Sequence, residues 1–413
     1  MHDAATFPIG LSVAEARARI VEIAAKFPLP TESVPLAAAH GRVLAADVIA
    51  PRDVPGFANS AMDGYAVRGA DLPSAGEKAF HLCGVALAGQ GEIPAVAPGT
   101  CVRITTGAPL PPGADTVVMQ ENARVDGDTI RIAAGTVAGA NVRAAAEDYA
   151  AGDLAFRRGT RLSPARVAVL ASFGLAEVRV VRRPRAVLLT TGDELVAAGA
   201  PLAPGRIPDS NCHSLAGLLG EHGVALLRHE RLRDEPERLR AALVRAGSEA
   251  DLVVSSGGVS VGEADFLPRL VAQIGEVYFW KVRIRPGMPF LFGRVGAALA
   301  FGLPGNPVSG IATFLTLVRP ALAAMSGATA PAPLYARLAG DVHKRHARAE
   351  YQRARLECDA EGRLHARPLA HQGSGMLRGV AEADALIVLP EDGREFRQGQ
   401  VVEVVPLPGW PGL

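Results

Sequence analysis

The sequence is short of cysteine, of excess charge and of long apolar runs, and each shortage excludes a class of protein. Four cysteines, Cys83, Cys101, Cys212 and Cys358, occur in 413 residues, with no Cys-x-x-Cys pair and no neighbouring histidine at zinc-ligand spacing. That excludes a zinc knuckle, and all four are expected as small buried apolar residues. Lysine and arginine number 43 against 42 aspartates and glutamates, a formal net charge of +1. Nothing in that balance calls for nucleic acid or a membrane surface, so any bound anion must be held by local cations. No uninterrupted run of about 18 apolar residues occurs, and the N-terminus has no basic stretch leading into an apolar core. A cytoplasmic protein without a membrane segment is the expectation.

What is present is apolar content, 49% of the residues, and a length that suggests roughly two to four domains. Val13, Ala16, Ile20, Ile23 and Phe27 fall at helical spacing behind Ser12 as N-cap, and Pro28 and Pro30 end that helix. A second helical stretch is read over 36–49, interrupted by Gly41. Residues 51–149 are rich in Gly, Pro, Val and Thr and read as a β-rich lobe, with strands over 101–105, 116–120 and 129–133 and a tight turn at Asp126-Gly127-Asp128. A helix over 164–173, capped by Ser163 and stopped by Gly174, follows.

Residues 184–326 then alternate, with strands predicted at 185–189, 224–229, 251–254 and 297–301 and helices at 210–222, 235–246, 265–274 and 307–325. Such alternation implies a largely parallel sheet with helices on both faces, whose ligands sit beyond the carboxyl ends of the strands. Residues 334–408 return to strand texture, with a turn at 359–362 and a closing strand at 401–405, as in a small barrel or sandwich.

Three turns follow apolar runs in the alternating region. Thr191-Gly192-Asp193-Glu194 sets a glycine beside an acidic pair, which suits either a turn cap or a carboxylate aimed at a ligand. Ser255-Ser256-Gly257-Gly258-Val259-Ser260 exposes consecutive backbone N–H groups that can nest phosphate oxygens, with Asp265 placed to meet a counterion. In Leu303-Pro304-Gly305-Asn306-Pro307, Asn306 reads as an N-cap and Pro307 as the first helical residue. Between these turns Lys281, Arg283 and Arg285 alternate with Val282 and Ile284, so an extended segment puts the cations on one side, as edge charges or as ligand contacts. His343-Lys344-Arg345-His346 reads as a solvated strand end, its histidines lacking an acidic companion.

Together these strings resemble the molybdopterin molybdenumtransferases, the MoeA family that includes the E domain of gephyrin. The likeness rests on Pro55-Gly56-Phe57 with 59–65, Thr106-Gly107-Ala108-Pro109, 191–195, 255–265 and 303–309, and it spans nearly the whole chain. It implies a multidomain α/β and β fold. Residues 8–50 with 150–182 would form a linking domain, 51–149 the β-rich lobe, 183–329 a three-layer molybdopterin-binding α/β domain with a mostly parallel sheet, and 330–413 a C-terminal β-barrel. It also implies a homodimer with sites in the cleft between subunits, contacts with other cofactor-assembly proteins and apoenzymes, and no nucleic acid or membrane partner. The implied reaction inserts molybdate into adenylylated molybdopterin with release of AMP, assisted by Mg²⁺.

Carried over by motif, Asp63, Thr106, Asp148, Glu194, Lys281 and Arg285 are the catalytic positions. Ser256, Gly257, Gly258, Ser260, Pro304, Gly305, Asn306, Pro307, Arg353 and Ser374 would bind the pterin adenylate, and Glu194, Asp234 and Asp265 the Mg²⁺. The chain departs from the pattern in its cations. Ala58 stands where the family has Asp, Arg285-Pro286-Gly287-Met288-Pro289 where it has Lys-Pro-Gly-Lys-Pro, and Ala144-Ala145-Ala146 where arginines are common. These losses leave room for altered oxyanion affinity or a tungstate preference. They also motivate an alternative, a paralogue that binds molybdopterin or scaffolds assembly without turnover; a phosphate-binding domain of unrelated function is a third reading.

Overall fold

The computed structural model describes residues 7–89, 91–259 and 266–410. Its centre is a seven-stranded sheet in the order Ile9–Leu11, Gly275–Val282, Leu291–Val295, Ala298–Leu303, Leu252–Ser256, Arg185–Thr191, Ala225–Leu232. The last four named strands run parallel, and Leu291–Val295 is antiparallel to both of its neighbours. Successive residues of one strand serve opposite cores: Ala186 and Leu188 join one apolar cluster, Val187 and Leu189 the other. The first cluster is closed by helix Ser210–Glu221 and the helix beginning at Pro307, the second by Pro236–Glu249 and Leu267–Ile274. Burial on both faces is why these strands are continuous apolar runs without polar alternation.

The predicted strands and helices of this region are all present. The hairpin of Gly275–Val282 with Leu291–Val295 and the edge strand Ile9–Leu11 add to the strands expected from the sequence. Helix Pro307–Ser326 has the length and mean hydropathy, 1.5, to cross a membrane, yet 78% of its most apolar window is buried inside the protein. It carries a π turn over Phe314–Val318, just ahead of Pro320, whose missing N–H interrupts the i→i−4 ladder.

Helix Val13–Ala24 begins with a full capping box, in which Ser12 accepts from the Glu15 N–H and Glu15 accepts from the Ser12 N–H. Its buried face packs in the first α/β core, so residues 9–24 belong to the central body. A separate small unit starts at Thr31, where Thr31–Pro35 pairs with Glu177–Val181 and Val48–Ile49 with Leu154–Phe156. Helix Pro164–Ser172, with Ser163 as N-cap, covers it. The helix expected over 36–49 is absent. A short 3-10 turn, Leu36–Ala38, and bridges from Val43 and Leu44 to Arg161 and Val180 take its place. The apolar spacing there serves β partners more than a hundred residues away.

The lobe holds a six-stranded sheet in the order Thr116–Met119, Gly64–Val67, Thr100–Ile104, Glu77–Ala86, Thr129–Ala133, Ala123–Asp126, with the expected turn between its last two members. At the C-terminus Ala349–Cys358, Leu364–Pro368, Leu334–Leu338, Val401–Pro406 and Ala385–Leu389 pair in a closed ring, a small barrel.

Two side-chain expectations need correction. Cys83 and Cys358 are exposed, Cys83 because it lies on the outward face of strand Glu77–Ala86; only Cys101 and Cys212 are buried. The run 343–346 is a solvated strand end only in part, with His343 and Arg345 exposed. Lys344 is 1% exposed, its ammonium donating to the carbonyls of Arg348, Pro390 and Glu391. The flanking histidines each meet an acid from elsewhere in the chain or the next turn, His343 with Glu395 and His346 with Glu350.

Candidate functional site

The three glycine-bearing turns converge at the carboxyl ends of adjacent parallel strands: Thr190 is paired with Ser256, and Ser256 with Leu303. The Gly257 N–H donates to the Leu303 carbonyl at 3.1 Å. A side chain at Gly257 would place its Cβ 2.5 Å from both the carbonyl and the hydroxyl oxygen of Thr191, and the backbone φ of +102° favours glycine in any case. Asn211 ties this turn to the one after Leu303, its amide donating to Ser256 Oγ at 2.8 Å and to the Gly305 carbonyl at 2.7 Å. Thr191 Oγ1, Ser255 Oγ and Asn211 Oδ1 are buried there without hydrogen-bond partners among the described residues. Buried polar atoms without a partner call for a water, an ion or a polar ligand to satisfy them.

Asn306 occupies the N-cap position and Pro307 the first turn, as expected, but the Asn306 side chain does not cap. It donates instead to Ser374 Oγ at 3.1 Å, while the Val308 N–H donates to the Ser374 carbonyl at 3.2 Å. A barrel loop thus sits on the start of this helix. That loop is held by Arg353, which is fully buried and donates to the carbonyls of His371 and Gly373. Burial pushes its pKa down, and Nη1 has no partner among the described residues. Arg353 therefore acts on the site through the 371–374 loop, as a positioning residue.

Of the carboxylates, Glu194 folds back over Gly192, where a Cβ would lie 2.6 Å from its Oε2. Asp234 follows the neighbouring strand, whose Leu232 is paired with Thr191. Asp265 and Ser260 lie outside the described residues. A further acid, Asp209, went unnoticed in the sequence. It caps helix Ser210–Glu221 through the Cys212 N–H, at 3.0 Å, and its other oxygen accepts from Thr190 Oγ1 at 2.7 Å and Arg231 Nε at 3.2 Å. Burial raises its pKa, but these three donors outweigh burial and leave it below the ordinary value.

Asp209, Cys212 and His229 each bring a ligand atom within 4.8 Å of the others, a group that could hold a metal ion. No sequence spacing announced it, because His229 arrives on the adjacent strand. Here Asp209 is committed to its donors and His229 Nε2 lies 2.8 Å from the Thr190 hydroxyl, so the group works as a hydrogen-bonded hub behind the turns.

The three cations do not share one side. Lys281 adopts φ +63° within strand Gly275–Val282, which interrupts the side-to-side alternation, and its ammonium lies over the Trp280 ring at 4.1 Å. Trp280 in turn donates from Nε1 to the Val259 carbonyl at 3.1 Å and so ties Lys281 to the glycine turn. Arg283 clamps Glu391 at 2.9 Å and the Gly10 carbonyl at 2.8 Å, a structural task. Arg285 is half exposed, 3.8 Å from Glu350. Beside it, Met288 lies 3.8 Å from the guanidinium of Arg348, so the region is not stripped of charge.

In the lobe, Asp63 Oδ1 accepts from the backbone N–H of Thr106 at 2.7 Å and from its hydroxyl at 2.8 Å. The backbone bond, then the hydroxyl bond, holds Asp63 below the ordinary carboxylate range. Asp148 is exposed, its N–H bonded to the Val54 carbonyl. These three belong to a different domain from the turns.

Comparison with known proteins covers the same ground. Residues 11–174 match the MoeA N-terminal region (domains I and II), 187–324 a probable molybdopterin-binding domain and 335–407 the MoeA C-terminal region (domain IV). The chain is 37% identical over 403 residues to the molybdopterin molybdenumtransferase of Haemophilus influenzae, covering 96% of this chain and 98% of that one. It is 37% identical over 393 residues to the protein of the same name from a Nostoc species, covering 92% and 89%. In three dimensions it is similar to the molybdopterin biosynthesis MoeA protein of Pyrococcus horikoshii, with a TM-score of 0.82 and 29% identity over 96% of this chain and all of that one. The matches are end to end, they include every segment that builds the turns, and by them the chain belongs to the MoeA family of molybdopterin molybdenumtransferases.

Proposed function

We propose that this protein completes the molybdenum cofactor by inserting molybdate into adenylylated molybdopterin and releasing AMP. The observation that carries this reading is the cradle itself: three strand ends set side by side, two of their turns tied by Asn211, with the Thr191 and Ser255 hydroxyls buried among them and unpartnered among the described residues. Such a nest suits the phosphates of the adenylate. Lys281 and Arg285 offset the charge gathered by phosphate and molybdate, and Asp63, with Thr106, supplies a carboxylate held ionised.

Glu194 and Asp234 would hold Mg²⁺, with Asp265 joining them from outside the described residues. Carboxylate oxygens suit that hard ion, which when bound neutralises phosphate charge. The lobe acids and the cradle would meet across two copies of the chain, in the cleft of a homodimer located in the cytoplasm.

Purified protein given adenylylated molybdopterin, Mg²⁺ and saturating molybdate is expected to release AMP and form the cofactor; AMP at background would sink the proposal. The non-catalytic alternative draws on the missing cations, and Arg348 beside Met288 weakens it. Met288→Lys should then raise turnover only slightly. A large gain would favour an impaired native site.

A further inference from the structure

At the opposite end of the central sheet from the cradle lies a cavity of about 640 Å³. It is walled by the residue before strand Arg185–Thr191, by the end of helix Ser210–Glu221, by one face of the Arg319–Ser326 segment and by the small unit around Arg42. Its lining includes five arginines, Arg42, Arg161, Arg182, Arg183 and Arg319, and one acid, Glu221. In a chain of net charge +1 this is a local concentration of positive charge.

Two of the arginines are neutralised. Arg42 meets Glu32, and Arg182 grips both oxygens of Asp251 at 2.8 and 2.9 Å. Arg161 donates to the Gly41 carbonyl at 2.7 Å, and neither it nor Arg183 nor Arg319 has a carboxylate within 4.0 Å among the described residues.

The ordinary use of cations at such a place is to satisfy helix C-termini, and two helices end here. Those ends are already served. The His222 ring and backbone meet the Leu218 carbonyl, Val224 N–H meets Leu219, and Gly223 N–H meets Gly220. Ser326 Oγ bonds the carbonyls of Leu322 and Ala323, and the N–H groups of Gly327 and Ala328 take Ala324 and Ala323. The three arginines line a volume of the size that holds a small molecule, with Arg17 and Glu403 the further charges that act on Arg319.

We propose that this cavity is a second anion site, taking a phosphate-bearing molecule of about mononucleotide size on Arg161, Arg183 and Arg319, with Val181, Pro184 and Leu322 against its apolar body. Bidentate guanidinium–phosphate pairing is the recognition chemistry. The site is independent of the cradle and of the reaction assigned to it. His222 supplies a reporter: burial, then the charges of Arg319 and Arg161, hold its imidazole below the ordinary value, with Glu221 and His40 the other titratable groups on the wall. An anion that screens those arginines raises the His222 pKa.

The experiment is a pH titration of the His222 ring resonances in the full-length protein, with and without millimolar inorganic phosphate and, separately, AMP. Either probe should raise the His222 pKa in the wild type and in the cradle variant Ser256→Ala. The exposed substitution Arg183→Ala should weaken the response about tenfold, the loss of one charge-assisted hydrogen bond, and Arg319→Met should abolish it. The proposal is overturned if neither probe moves His222, if both arginine variants respond as the wild type does, or if Ser256→Ala removes the effect. It is likewise overturned if the arginine variants sediment as a smaller species, which would assign the cavity to contact with a second copy.

Discussion

At the residue scale, Gly257 is the most constrained position of the cradle, because both its φ and its approach to Thr191 exclude a Cβ. Gly257→Ala is expected to cost roughly 1–3 kcal/mol, read from denaturant unfolding, and to weaken AMP binding more than the stability loss explains. Unchanged AMP affinity in a folded variant would remove Gly257 from the site. Thr106→Val removes the hydroxyl bond to Asp63 and keeps the backbone one, so the carboxyl pKa should rise part of the way toward its ordinary value. Carbon-detected titration of Asp63 reads that change. The glycines and Pro307 were legible in the sequence because an apolar run followed by Gly, or an Asn-Pro at a helix start, is a signal within a few residues. Lys281 was misread for the converse reason: its left-handed backbone breaks an alternation that the side chains alone leave intact.

At the scale of elements, the strand ends are spaced by the sheet, but two of their turns are fastened by one side chain. Asn211→Ala frees Ser256 from the Gly305 carbonyl and should cost about 1–3 kcal/mol, with a larger loss in adenylate affinity than in stability. If affinity falls only in step with stability, Asn211 is structural. Asn211 escaped the sequence reading because its partner Gly305 is 94 positions away. Asp209 escaped it too, although an Asp before a helix is a readable cap; its bonds to Thr190 and Arg231 exist only once the strands are side by side. The parallel strands were legible because each is apolar over its length. The 36–49 segment was not, since its apolar spacing answers to strands that follow residue 150.

At the scale of the molecule, three buried or half-buried histidines share a direction of shift. Burial is the leading cause for His222, His229 and His346, and each lies below the ordinary value of 6.5. Between each lowered value and 6.5 the unfolded chain binds more protons than the folded one, so stability falls as pH drops through that window. Thermal midpoints measured from pH 7.5 down to about 5 should decline, and His222→Gln should flatten part of the decline. A midpoint independent of pH would contradict the shifts. The proposed cleft between two copies makes its own prediction: mixing Asp63→Asn with Glu194→Gln, each inactive alone, should restore activity if sites are built from two copies. The edge strand Ile9–Leu11 carries a different consequence. The Gly10 carbonyl is fixed by Arg283, 273 positions later, and Ile9 pairs with Trp280. During synthesis at roughly 5–20 residues per second, that first strand waits on the order of tens of seconds for a neighbour. The lobe and the small unit can close meanwhile, whereas the sheet that bears the cradle gains its outer edge only once Val282 has emerged.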